Sequence, residues 1–402
     1  MLGKACFSEG LRATAEMEQK GHKNMYMTAV YSILHLLVDG VCALAMFGSF
    51  LLDEDGYYRI LIYNFCAFAL QMPLGILLDA LDGWAGEGKG RPDPVFLTAA
   101  GGVLLTVAGA LTHPAVLGIG NALFHVGGGV GCIHEDDGRG WKGRGLGVFV
   151  APGALGLYVG TILAKQGGWE TWYGLGSAFM AVLCLGAMYF GRSLGMGQMD
   201  PGNKNKEGGL QKADLRKEKP EDHAVRTDSR KRRSAGSCRD IAMLFIVCLT
   251  VVILRSYIGM AVVLPWKTGV LTGCMAVLAV AGGKVAGGFG AARYGVRRTV
   301  IASLAMAAFC YLFSAFLPMG LAAVFLFNMT MPITLYWMVC GMPGRPGFAF
   351  GLLTFGLFLG FLPGYFGLLP EAGGAMVGCA GSVLSLLLLQ GIGRRRGWGH
   401  IC

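Results

Sequence analysis

Apolar stretches of membrane-crossing length recur along the chain, separated by short polar breaks. The first six cover residues 25–50, 57–78, 95–111, 115–133, 146–163 and 172–190. A polar stretch over 192–240 follows. Six more apolar stretches then cover 241–264, 270–289, 299–316, 321–339, 348–368 and 374–390. About 20 apolar residues, with a lower limit near 17, carry an α-helix across the hydrocarbon core. The pattern predicts twelve spans, arranged as six, a linker and six. Its expected division is an N-terminal segment 1–24, a first bundle 25–191, a flexible linker 192–240, a second bundle 241–393 and a tail 394–402. The first apolar run reads as a retained helix and not as a cleaved signal, because no small-residue cleavage site follows it.

Composition agrees with an all-α membrane protein. Charged residues make up 14% of the 402 positions, against about 25% in soluble domains, and mean hydropathy is +0.55. The 66 glycines suit helices that pack by close approach in lipid. A net charge of +10 would point to nucleic acid in a soluble protein, but here its placement explains it. With the N-terminus in the cytoplasm, Lys89, Arg91, Arg139, Lys142, Arg144, Arg293, Arg297, Arg298, Arg345 and Arg394 to Arg396 all fall on the cytoplasmic side. The opposite loops hold Arg59, Lys165 and Lys267 beside Asp53, Glu54 and Asp55. Both termini are therefore expected in the cytoplasm, in a plasma-membrane protein with lipid and not nucleic acid around it.

The linker sequence "NKNKEGGLQKADLRKEKPEDHAVRTDSRKRRS" mixes charges and lacks the apolar surface to fold alone. Its basic run, Arg230 to Arg233, reads as a topology signal and solvated tether, or as a contact for anionic headgroups. The 12 cysteines form no CxxC pair, so neither a zinc site nor a redox motif is expected. "GGGVGCIHEDDGRGWKG" lacks the order of a phosphate-binding loop, so no ATP-driven machinery is expected. "HEDDG" at His134 is placed in a cytoplasmic loop, solvated. No metal, cofactor or catalytic residue is expected, and the chain is expected to act as a monomer.

Polar residues inside the spans are few. His35 and Asp39 share one face of span one, four residues apart. Asn64 and Gln71 fall in span two, Asn121 and His125 in span four, Arg255 in span seven, Lys284 in span eight, and Asn328 and Thr330 in span ten. An ionised group near mid-membrane costs at least about 2.5–3.5 kcal/mol, so such residues mark ion or solute pathways.

Two motifs carry a resemblance. "QMPLGILLDALDG" after span two and "GGKVAGGFGAARYGVRR" after span eight are similar to the cytoplasmic loop motif of the major facilitator superfamily. Gly75 and Asp79 match in the first copy, though Ala80 stands where a basic residue is expected. Gly288, Arg293, Gly295, Arg297 and Arg298 match in the second, where Ala292 replaces the acidic residue. The pair sits at corresponding places in two halves, as structural repeats would have it. "LHLLVDG" and "GIGNALFHVGGGVGCIHEDDGRGWKGRGLGVFVAPGALGLYVG" also resemble spans one, four and five of the fosmidomycin-resistance-type exporters.

The resemblance implies two six-helix bundles around a cavity that opens alternately to each side. Gly75, Asp79, Gly288 and Arg293, which carry the motif, are expected gating positions, as are His125 and Lys284 by their places near the cytoplasmic face, and Pro332 and Pro363 are expected to let spans ten and eleven bend. Asp39, with His35 beside it, is the expected proton-coupling group, since histidine titrates near neutrality. Arg255, Asn64, Gln71, Asn121, Asn328 and Thr330 are the expected cavity residues. Spans one and seven are repeat equivalents, with Asp39 and Arg255 roughly 21 Å into each, so these two are expected to face one another. Lys284 and His125 are both expected near the cytoplasmic face. The expected function is secondary active transport of a small organic solute, coupled to protons, with efflux favoured by the exporter resemblance. Uptake or exchange of organic anions remains open, as do a membrane enzyme built on His134 to Asp137 and a transporter-like receptor.

Overall fold

The computed structural model describes residues 26–85, 93–193, 223–369 and 373–396. The N-terminal segment, Lys89, Arg91, most of the linker and the last residues of the tail lie outside these. In the first half run α1 (Tyr26–Phe50), α2 (Gly56–Trp84), α3 (Pro94–Thr112), α4 (Pro114–Arg139), α5 (Arg144–Gln166) and α6 (Trp169–Ser193). In the second run α7 (His223–Ala261), α8 (Val270–Tyr294), α9 (Val296–Leu312), α10 (Leu317–Gly341), α11 (Pro346–Tyr365) and α12 (Gly374–Arg396). Ten of the described helices have both the length and the apolar composition of a membrane span, and α6 and α9 complete the two sets of six.

Local chemistry sets the boundaries. Asp93 caps α3 by accepting from the Val95 N–H at 2.9 Å, and Pro94 fills the first helical position. α4 stops at Gly140, whose φ of 62° is left-handed. α5 breaks at Ala151, immediately before Pro152, and α10 breaks at Met329, three residues before Pro332. Pro363 lies inside the last turn of α11. π-turns occupy Met46–Phe50 in α1 and Phe65–Ala69 in α2.

Two sequence expectations are corrected. α7 begins at His223, well inside the stretch expected as flexible linker. After Pro220 that stretch holds no proline to end a helix. "HEDDG" is the last turn of α4 and not a loop. Asp136 is buried there and its carboxylate accepts from the Gly145 and Leu146 N–H groups at 2.7 and 3.0 Å, which caps α5.

The two sets of six meet through α2 against α11 and α5 against α8. At one end of the interface Tyr57 and Tyr365 stack at 4.3 Å, each hydroxyl donating to the other's backbone carbonyl. Tyr158 donates to the Val270 carbonyl at 2.7 Å. At the end carrying Arg139, Arg144, Arg293 and Arg345, hereafter the basic end, the Asp79 carboxylate accepts from the Gly347 and Phe348 N–H groups at 2.7 and 2.8 Å. Those N–H groups open α11, so a carboxylate sits on the positive end of a helix dipole. Contacts thus join the halves at both ends of the interface.

Candidate functional site

The polar face of α1 meets α4 and α5. Asp39 Oδ1 accepts from Asn121 Nδ2 at 3.0 Å. Its other oxygen lies 3.2 Å from His35 Nε2, and His125 Nε2 lies 3.6 Å from Oδ1. The two histidines meet each other, Nε2 to Nε2, at 2.8 Å. His35 and Asn121 are buried. A Cβ on Gly153 would collide with His35 Nε2 and Asp39 Oδ2, so only glycine lets α5 close over the pair.

The partners fix where protons must be. His35 Nδ1 lies 2.6 Å from the Phe149 carbonyl oxygen, and His125 Nδ1 lies 2.8 Å from the Asn121 carbonyl oxygen. A carbonyl only accepts, so each Nδ1 carries a hydrogen. The facing Nε2 atoms would then both be bare lone pairs at hydrogen-bond distance, which repel. One additional proton between them removes the conflict.

His35, Asp39 and His125 also form the one described group of three side chains whose ligand atoms lie within 4.8 Å of one another, as a metal ion would require. Two nitrogens at about 2.0–2.1 Å from a tetrahedral ion would stand about 3.3 Å apart. The observed 2.8 Å is a hydrogen-bond separation. The spacing suits a proton better than a metal ion.

The break in α5 ties this cluster to the other half. Carbonyls in the last turn of a helix have no partner within it. In the segment ending at Val150, two consecutive carbonyls are thereby available. Phe149 O takes His35 Nδ1, and Val150 O takes Lys284 Nζ from α8 at 2.9 Å. Lys284 is thus mid-helix and bonded across the halves, and does not snorkel to the membrane face. His125 likewise lies deeper than expected and joins the Asp39 cluster, because α4 continues six residues beyond the expected end of span four.

Arg255 does not meet Asp39. No ion pair joins them, and Asp39 is already engaged by His35, His125 and Asn121 within its own half. Arg255 is 8% exposed, and its Nε and Nη1 have no partner among the described residues. The remaining expected cavity residues are not drawn into the cluster. Asn64, Gln71, Asn328 and Thr330 each donate to a carbonyl three or four residues earlier in the chain.

Among the gating positions, Gly75 and Asp79 both lie at the α2–α11 contact, and Gly75 backs directly onto Gly347. Gly288 lies at the equivalent α5–α8 contact, where a Cβ would stand 2.8 Å from the Gly143 carbonyl. Arg293 is exposed at the end of α8 over Tyr294, away from that contact.

No protein-family model matches the sequence, and no curated protein matches it. Solved structures do match. The human organic anion transporter MFSD10 (TETRAN) aligns with a TM-score of 0.56 at 15% identity, over 92% of this chain and 99% of that chain. A variant of the E. coli fucose:proton symporter FucP aligns with a TM-score of 0.49 at 11% identity, over 90% and 99%. At 15% identity the first likeness shows the fold, which is the major facilitator fold of twelve helices in two six-helix bundles.

Proposed function

We propose that the chain is a secondary active transporter that moves a small organic solute by alternating access and couples it to protons at His35, His125 and Asp39. The observation that carries this reading is the 2.8 Å contact between the two histidine Nε2 atoms beside Asp39, which needs one removable proton. Removing that proton leaves two lone pairs opposed, so one ring must turn. A turn of His35 releases the Phe149 carbonyl, one residue from the carbonyl that holds Lys284 of the opposite half. Protonation and the relation of the halves are linked through that single turn of α5.

Other readings fare less well. An enzyme built on His134 to Asp137 has little left to work with, because Asp136 is spent on capping α5 and Glu135 on Arg139, which leaves the exposed Asp137 as the one unengaged carboxylate of that turn. The exporter-like residues of spans one, four and five support efflux as the direction. The basic residues support a cytoplasmic basic end in the plasma membrane. Protease added outside should then cut residues 192–240 in inside-out vesicles only, and cleavage in right-side-out vesicles would reverse the orientation.

The coupling is tested in proteoliposomes holding a pH-sensitive dye. A transported solute should move protons with it. His125→Gln keeps the Asp39 carboxylate and should reduce that proton movement while solute counterflow persists. Solute flux without any pH change would overturn coupling, and binding without counterflow would favour a receptor.

A further inference from the structure

We propose that Arg255 and Lys284 form an anion-binding subsite between the halves, and that the transported solute carries a small oxyanion group, a carboxylate or a phosphate. The proposal rests on the transporter reading and names its substrate class.

The charge balance at mid-membrane is the first argument. The described charged groups deep in the spans are Asp39, Arg255 and Lys284. Asp39 is already engaged by His35, His125 and Asn121 of its own half. Two cations therefore remain without a carboxylate. Among the described residues Lys284 bonds the neutral Val150 carbonyl alone, and Arg255 Nε and Nη1 have no partner. A buried cation without an acceptor is costly, and an arginine that merely supports the fold satisfies its donors on carbonyls or carboxylates. Nearby Cys248 offers a thiol, which is a weak acceptor at best.

The geometry supplies the second argument. Lys284 reaches from α8 across to the first half, and Arg255 is buried in α7 with donors to spare. A guanidinium offers a planar fork that fits two oxygens of a carboxylate or phosphate, and an ammonium adds a movable point charge. An anion held by Arg255 competes with the Val150 carbonyl for Lys284. Drawing Lys284 away disturbs the same turn of α5 that holds His35, which would let solute and proton sense each other.

The test is thermal unfolding of the purified full-length protein in detergent. The probes are benzoate, succinate and phenyl phosphate, each against its neutral counterpart benzamide, succinamide or phenol. At least one anion should raise the unfolding midpoint of the wild type, and its neutral counterpart should not. Arg255→Met should lose that response, an affinity loss of roughly tenfold or more for a charge-assisted bond. Without ligand, Arg255→Met should unfold at or above the wild-type temperature, because it removes an unpaired buried charge. Arg255→Lys keeps the charge but not the fork, and should fold normally and bind more weakly. Lys284→Met should weaken binding also. The proposal is overturned if no anion shifts the wild type, if neutral counterparts shift it equally, or if Arg255→Met lowers the ligand-free midpoint by several degrees. No proton gradient enters this measurement, so a failure of proton coupling leaves its outcome intact.

Discussion

Asp39→Asn abolishes accumulation driven by a pH gradient and leaves solute exchange at equal pH largely intact: this is the expected result if the cluster on α1 and α4 carries the coupling proton. Asparagine matches aspartate in shape but brings no negative charge. The proton shared by His35 and His125 then loses the carboxylate that lies 3.2 and 3.6 Å from their Nε2 atoms. A lone cation in that buried place is unfavourable, so the variant is held in one protonation state throughout the cycle. Each pH unit of gradient is worth about 1.4 kcal/mol per proton, or tenfold accumulation, and that whole factor should vanish. Exchange needs both halves to rock with solute bound but no net proton movement, so it survives. His35→Gln keeps the carboxylate and should lose less. An Asp39→Asn protein that still concentrates solute along a pH gradient would place the coupling site elsewhere.

The sequence carried much of the fold because lipid imposes it. Twelve apolar runs and the paired motifs after spans two and eight have counterparts in the helices, while most of the polar break between the sixth and seventh lies outside the described residues. The site was legible only in part. His35 and Asp39 announce themselves because four residues on a helix is one turn. His125 was assigned to a gate because the charged "HEDDG" ended the apolar count at residue 133, whereas α4 continues to Arg139 with Asp136 turned inward as a cap. The Asp39–Arg255 pairing failed for a related reason. Repeat symmetry fixes depth in the membrane but not rotation about a helix axis, and the nearer histidines of the same half claim the carboxylate. Lys284 required knowledge that α5 breaks before Pro152 and leaves a carbonyl free. That proline is visible in the sequence, but the residue that uses the carbonyl lies in the other half.

The second large effect is expected at the α2–α11 contact. Gly75 backs onto Gly347, and a Cβ built on Gly75 would overlap the Gly347 carbonyl and stand 3.0 Å from the Phe348 nitrogen. All of these are backbone atoms, which cannot turn aside as a side chain would. Gly75→Val adds that Cβ and two methyl groups, and forced overpacking costs about 1–3 kcal/mol. In a rigid protein the strain would appear as lost stability. In a molecule whose halves rock, it is relieved by parting α2 from α11, so the conformer open at the basic end gains. A shift of about 1.4 kcal/mol is already tenfold in population. Transport should therefore fall about fivefold or more while the protein stays folded. Asp79→Ala removes the carboxylate bonded to the Gly347 and Phe348 N–H groups and should shift the balance the same way without any clash. Spin labels at Asp82→Cys and Arg345→Cys, in a background lacking the other reactive cysteines, would report the separation directly. Both variants should lengthen the label distance relative to the parent. Unchanged distances together with unchanged transport would mean that α2 and α11 stay together throughout the cycle, and that the basic end opens by another route.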